Sequence, residues 1–200
     1  MEGCFLVAGL GNPGPRYAGT RHNAGFMLAE QVVAQARGAW QTQDRFRARI
    51  ARCRLGGEAV LVCEPLTFMN ASGEAVGAVL RYHRISLDRL LVLVDDADLR
   101  LGQLRLRPEG SSGGHHGLES IEQVLGSKRF ARLRLGIGRQ PDGRRAITGH
   151  VLGDFAGPER ECFERVLERA AAQVVCWIAD GIGPAMNRFN GAVDAPDIEG

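Results

Sequence analysis

Apolar and polar residues follow one another along this 200-residue chain in blocks whose period switches between strand-like and helix-like. Cys4 to Leu10 is a short apolar run stopped by Gly11-Asn12-Pro13-Gly14, which predicts a buried strand and then a tight loop. From Asn23, residues Phe26, Met27, Ala29, Val32 and Val33 recur at helical spacing, and Gly38 is expected to end that helix. Ala48–Leu55 and Ala59–Cys63 flank Gly56-Gly57-Glu58, a hairpin signal. A second helix is predicted from Ser72 or Gly73 to about Tyr82. Leu90 to Val94 reads as an all-apolar strand halted by Asp95-Asp96-Ala97-Asp98, and Gln103 to Arg107 alternates as an edge strand would.

Pro108 to Gly117 is the longest flexible stretch, followed by a short helix from Leu118 to Leu125. Arg132 and Arg134 alternate with Leu133, Leu135 and Ile137, which predicts a strand with one charged face. Gln140 to Gly149 is polar; a long amphipathic helix follows from Pro158 to about Ala179, and a shorter one from Pro184 to Asn190. Strands alternating with helices, plus one hairpin, imply a single three-layer αβα domain with a mixed, mostly parallel twisted sheet. Residues 1–190 form the expected catalytic domain and 191–200 a loose tail.

Net charge is only +2, which excludes a histone-like polycation, but its distribution is uneven. Between Arg100 and Arg145 ten basic residues face four acids, an excess that suggests an anionic partner along one edge. Five cysteines without CxxC spacing read as reduced thiols, and no apolar run reaches membrane-spanning length. Glu2 stands where a signal peptide would carry positive charge. A cytoplasmic protein without membrane attachment is the expectation.

Asn12, His22, Asn70 and Asp95 each lie in a loop after a strand-like run or its continuation. In open α/β sheets the crevice outside the strand carboxyl ends is where ligands bind. A carboxylate there can fix the tautomer of an imidazole and stabilise its protonated form, leaving the other ring nitrogen to take a proton from water. The two amides add neutral hydrogen-bonding groups. Gly9-Leu10-Gly11-Asn12-Pro13-Gly14 formally matches the dinucleotide fingerprint, but Pro13 and Pro15 interrupt it and the helix begins only near Asn23. Those glycines are better read as room for a substrate backbone, and no nicotinamide is expected. Asp95, Asp96 and Asp98 could suggest Mg²⁺, but no Walker-type lysine loop accompanies them. Adjacent histidines in Gly113-Gly114-His115-His116-Gly117 rarely ligate one zinc ion, so no metal or cofactor is expected; that turn instead offers backbone N–H groups to an oxyanion. Phe68 and Met69 beside Asn70 are expected to be exposed and to suit a peptide, and Arg107 and Arg134 could clamp a phosphate.

The segments Val7–Tyr17, Thr20–Gly25, Thr67–Gly73, Asp95–Leu99, Gly113–Gly117, Arg132–Gly138 and His150–Gly153 occur in the order found in bacterial-type peptidyl-tRNA hydrolases, and the chain resembles that family over nearly its full length. The resemblance implies cleavage of the ester between a peptide and the 3′ ribose of tRNA, which recycles tRNA from stalled translation. It implies His22 as general base, Asp95 as its supporting carboxylate, and Asn12 as the residue that separates N-blocked from free aminoacyl esters. Tyr17, Phe68, Met69 and Asn70 match substrate-contacting positions, and Arg107 and Arg134 match a basic clamp on the tRNA phosphate. A lid is implied over residues 140–152. His116 stands where the family usually has asparagine, and Asp96 where it more often has glutamate. The implied partner is the acceptor stem and 3′ end of peptidyl-tRNA, met by a monomer with no obligate protein partner. An RNA-binding paralogue of the same fold that has lost catalysis is the alternative. The intact His22, Asp95, Asn12 and Asn70 argue against it.

Overall fold

A computed structural model of the chain describes residues 3–138 and 149–193. The expected lid over 140–152 therefore falls mostly outside the described residues. Among the described residues eight strands, β1 (Phe5–Gly9), β2 (Trp40–Gln43), β3 (Ala48–Leu55), β4 (Glu58–Pro65), β5 (Leu90–Asp96), β6 (Gln103–Arg107), β7 (Ala131–Gly136) and β8 (Gly191–Ala192), form one sheet. Its order is β2-β3-β4-β1-β5-β7-β6-β8. The central strands β4, β1, β5 and β7 run parallel, and antiparallel strands extend both edges. The helices are α1 (Ala24–Gln35), α2 (Ser72–His83), α3 (His116–Leu125), α4 (Pro158–Asp180) and α5 (Ile182–Phe189).

Strand alternation divides the core in two. Val7, Val60, Val62, Leu91, Leu93, Leu133 and Leu135 face α1, α4 and α5. Their neighbours Leu6, Ala8, Leu61, Cys63, Val92 and Val94 face α2 and α3. Because both faces of β1, β4 and β5 are covered, Phe5–Gly9, Ala59–Cys63 and Leu90–Val94 are continuous apolar runs, as expected of parallel strands in such sheets, and acids enter only at the ends of β4 and β5.

Local chemistry explains the connections. Gly56 and Gly57 both have positive φ (56° and 85°), as the two-residue turn between β3 and β4 requires. α1 ends through a left-handed residue, but it is Arg37 (φ 51°) rather than Gly38. Gly38 is needed for space, since a Cβ there would lie 2.8 Å from the Cys53 sulfur.

Several expectations require correction. β5 does not stop at Val94 but carries Asp95 and Asp96 within the ladder, opposite Leu135 and Gly136 of β7. β6 is not the edge, because Gly191 and Ala192 pair with Leu104 and Gln103; the tail thus contributes a short strand. The charged face of β7 is present but largely covered. Arg132 is 1% exposed and donates to the carbonyls of Gly110, Lys128 and Phe130. Gly9 and Gly11 make room for α1, whereas Gly14 borders open space. A Cβ on Gly9 would lie 2.5 Å from the Gly25 carbonyl, and one on Gly11 would lie 2.7 Å from the Phe26 ring.

Candidate active site

Because β4, β1 and β5 are parallel neighbours, their carboxyl ends deliver three segments to one edge: Leu66–Asn70, Leu10–Asn12 and Asp95. Gly25, in the first turn of α1, lets that helix seat directly on this edge. Any Cβ there would come within 2.3 Å of the Leu93 carbonyl and 2.6 Å of Leu10 backbone. The 3₁₀ turn Arg21–Asn23 that leads into α1 is thereby held over the end of β5, and it carries His22. On the other side Gly117 lets α3 approach, a Cβ there meeting the Met69 sulfur at 2.6 Å.

The outcome is a three-residue cluster around a buried Asp95, with His22 and His115 half-buried on either side. His22 Nδ1 lies 2.9 Å from Asp95 Oδ1, and His115 Nε2 lies 3.0 Å from the same oxygen. His115 Nδ1 accepts from the backbone N–H groups of Gly117 and Leu118 at 3.1 and 3.3 Å, capping α3. That nitrogen must therefore be unprotonated, so Nε2 carries the proton and donates to Asp95. Asp95 is 4% exposed. Burial works against its charge, yet His115 and His22 outweigh that penalty and hold the carboxyl well below the usual carboxylate range. Burial likewise disfavours the His22 imidazolium, but the Asp95 hydrogen bond and charge raise its pKa above the ordinary histidine value. Sequence alone does not single out His115, because adjacent histidines in a glycine-rich turn point to no particular partner. The available signal was its place at the N-cap of the following helix.

Asn12 is oriented without ambiguity. Its Oδ1 accepts from the Met69 N–H at 2.9 Å, and its backbone is clasped by Asn23, which accepts from Asn12 N–H and donates to Asn12 C=O. Since a backbone N–H can only donate, the side-chain NH₂ of Asn12 points away from Met69.

The remaining expected residues divide. Asn70 is exposed in the 3₁₀ turn Met69–Ala71, and Phe68 beside it is 63% exposed, but Met69 is buried in the core, against the expectation of two exposed apolar side chains. Tyr17 is half-buried in the first loop. His116 points outward, its Nδ1 3.1 Å from Glu119, and does not join the cluster. The glycine-rich turn is not a free oxyanion cradle: besides the two N–H groups bound by His115, Gly114 N–H donates to Ser112 Oγ and His115 N–H to Ser112 C=O. Arg107 is exposed, whereas Arg134 is mostly buried, pairing with Asp96 at 3.1 Å and donating to the carbonyls of Ser111 and Ser112. Cross-strand register sets Arg105 opposite Arg134 and Arg107 opposite Arg132, so four arginines share one face of the β6–β7 ladder. His22, Asp95 and His115 also bring three ligand-type atoms within 4.8 Å of one another, a grouping their shared hydrogen bonds already explain.

Fold and cluster together define an α/β enzyme whose polar centre lies at the carboxyl edge of a parallel sheet core. The sequence matches the peptidyl-tRNA hydrolase family over residues 6–197. It is 49% identical over 186 residues to a peptidyl-tRNA hydrolase of Synechococcus sp. (strain JA-2-3B'a(2-13)), covering 92% of this chain and 82% of that one. A peptidyl-tRNA hydrolase of Desulforudis audaxviator is 45% identical, with 92% of each chain covered. The crystal structure of peptidyl-tRNA hydrolase from Acinetobacter baumannii superposes with a TM-score of 0.90 at 34% identity, covering 98% of both chains. The chain belongs to the peptidyl-tRNA hydrolase family, and it is a hydrolase.

Proposed function

We propose that this chain hydrolyses the ester linking an N-blocked aminoacyl or peptidyl group to the 3′ ribose of tRNA, with water as the attacking group. The observation that carries the reading is the His22–Asp95 hydrogen bond. With Nδ1–H committed to Asp95, His22 Nε2 is the nitrogen left to accept a proton from water as its oxygen attacks the ester carbonyl. That proton passes on to the departing ribose oxygen, and His22 returns neutral. Asp95 offsets the charge that His22 carries in between, and His115 fixes the Asp95 oxygen in place. Asn70, exposed at the same edge, donates to the carbonyl oxygen as it gains charge.

Selectivity follows from the orientation of Asn12. Its NH₂ is a donor, so it suits the carbonyl that blocks the amine of a peptidyl ester. A free α-ammonium is also donor-only and would lose water without gaining a partner, which is costly. Tyr17, Phe68 and the backbone of Met69 flank the peptide, and His116 reaches it only by leaving Glu119. Arg107 meets the tRNA acceptor stem through a phosphate. Arg134 supports that contact by pinning the 111–112 carbonyls beneath it. The setting is the cytoplasm, supported by five free thiols and by the lack, among described residues, of any helix long and apolar enough to cross a membrane. The chain acts as a monomer without an obligate protein partner.

The test is release of peptide from N-acetyl-aminoacyl-tRNA beside the unblocked ester. Cleavage of the blocked substrate alone, abolished in His22→Ala, is expected. Equal cleavage of both, or an active His22→Ala, refutes the reading.

A further inference from the structure

Next to Asn12 lies a cavity of about 350 Å³ that the reaction as derived above leaves unused. Pro13, Phe26, Met27 and Leu66 line it with apolar surface, and Glu64 and Arg49 add charge. Glu64 is 1% exposed. Arg49 directs both its Nε (3.1 Å) and its Nη2 (2.5 Å) to a single oxygen of Glu64, Oε2. The same Nη2 reaches Glu30 Oε1, and Glu30 Oε2 accepts from the Trp40 indole at 2.8 Å. Of the four carboxylate oxygens in this network, only Glu64 Oε1 has no partner among the described residues. Two carboxylates share one guanidinium, and buried Glu64 keeps one acceptor oxygen without a donor among the described residues.

Position relates this cavity to the peptide. If Asn12 meets the carbonyl that blocks the amine, as proposed above, that carbonyl belongs to the residue preceding the esterified one. The side chain of that residue then emerges beside Asn12, where the cavity begins its apolar lining. Apolar walls with one buried, unpaired carboxylate oxygen fit a long aliphatic stem bearing a cationic head. We propose that this cavity is a subsite for a lysyl or arginyl side chain at the penultimate peptide position, its head donating to Glu64 Oε1. Burial pushes Glu64 up to about 7 despite Arg49, as expected of a carboxylate short of positive charge.

The experiment compares N-acetylated dipeptidyl-tRNAs that share the esterified residue and differ before it: lysine, norleucine or glutamate. In the wild-type protein kcat/KM for lysine should exceed norleucine by about tenfold, the effect of one hydrogen bond to a charged group, with glutamate poorest. Glu64→Gln should collapse the lysine-to-norleucine ratio to below about twofold. It should leave cleavage of N-acetyl-aminoacyl-tRNA, which has no penultimate side chain, as it was. Thermal melting of both proteins checks folding, and the wild-type comparison needs no variant at all. Absence of a lysine preference in the wild type overturns the proposal, as does a preference that survives Glu64→Gln. Loss of norleucine cleavage equal to that of lysine in Glu64→Gln overturns it too, because norleucine has no cationic head for Glu64 to meet. Failure of the Asn12 reading shows separately, as cleavage of unblocked esters, because every ratio above is taken on blocked substrates.

Discussion

Replacing Asp95 with asparagine isolates charge from geometry. Both imidazoles bond the same oxygen, Oδ1, so the asparagine carbonyl can still accept from His22 Nδ1 and His115 Nε2. What disappears is the negative charge beside a His22 that, on the proposed mechanism, carries a positive one during the reaction. With N···O at 2.9 Å the two charge centres lie about 4 Å apart. At an effective dielectric of about 20 such a pair is worth about 4 kcal/mol, of which solvent and the neighbouring dipoles recover a part. A loss of about 2.7–4 kcal/mol in the transition state is about 10²–10³-fold in kcat. The pH profile carries a second signature. The base must be neutral to act, so kcat/KM falls as pH drops through the His22 pKa, which Asp95 raises above the ordinary value. Asp95→Asn should therefore lower the plateau and move the acidic limb to lower pH. Rates on N-acetyl-aminoacyl-tRNA between about pH 5 and 9 measure both. A plateau that drops while the acidic limb stays put or moves up would refute the assignment of His22 as the base that Asp95 charges.

Asn12→Asp presents an acceptor where the NH₂ was, so cleavage of blocked esters should fall and that of unblocked esters rise, measured as the ratio of kcat/KM. Gly25→Ala should cost at least about 3 kcal/mol, read as denaturant midpoint, because its Cβ would lie 2.3 Å from the Leu93 carbonyl; surviving protein should be inactive, with His22 displaced from Asp95. Arg107→Ala should weaken tRNA binding and reduce the salt slope by about one unit without changing the melting temperature. Arg134→Ala should weaken binding and also lower the melting temperature, because Arg134 holds Asp96 and the Ser111 and Ser112 carbonyls. For Glu64 the folded-state pKa of about 7 lies above its ordinary value, so its contribution favours folding at low pH. It is lost as pH rises from about 4.5 to 7, and Glu64→Gln should flatten the melting temperature across that range.

Much of the fold was legible because apolar alternation and helical spacing are local signals. β1, the β3–β4 hairpin, α1, α2 and α4 stand within a few residues of where their patterns place them. β2 leaves no local signal, since Trp40-Gln-Thr-Gln43 has one apolar residue and exists by pairing with β3. β8 is likewise created by its partner, β6. Asp95 and Asp96 look like the start of a loop, yet the ladder to β7 extends the strand through them, a tertiary effect on residues of low strand propensity. For the site, the His22–Asp95 pair was legible because strand-end loops converge in a parallel sheet. His115 was hidden because its role depends on α3 sitting against β5. His116, its neighbour, drew attention by departing from a pattern and then turned outward.

The acid of the site is stitched into the middle of the sheet. β5 lies between β1 and β7, and Asp95 is fixed by the same ladder that orders the core. Its carboxylate is held in place while the domain stays folded, so a reaction run through Asp95, as proposed, shares the stability of the whole molecule. Adaptation of substrate range is left to the surrounding turns, which can change without disturbing the strand that carries the charge.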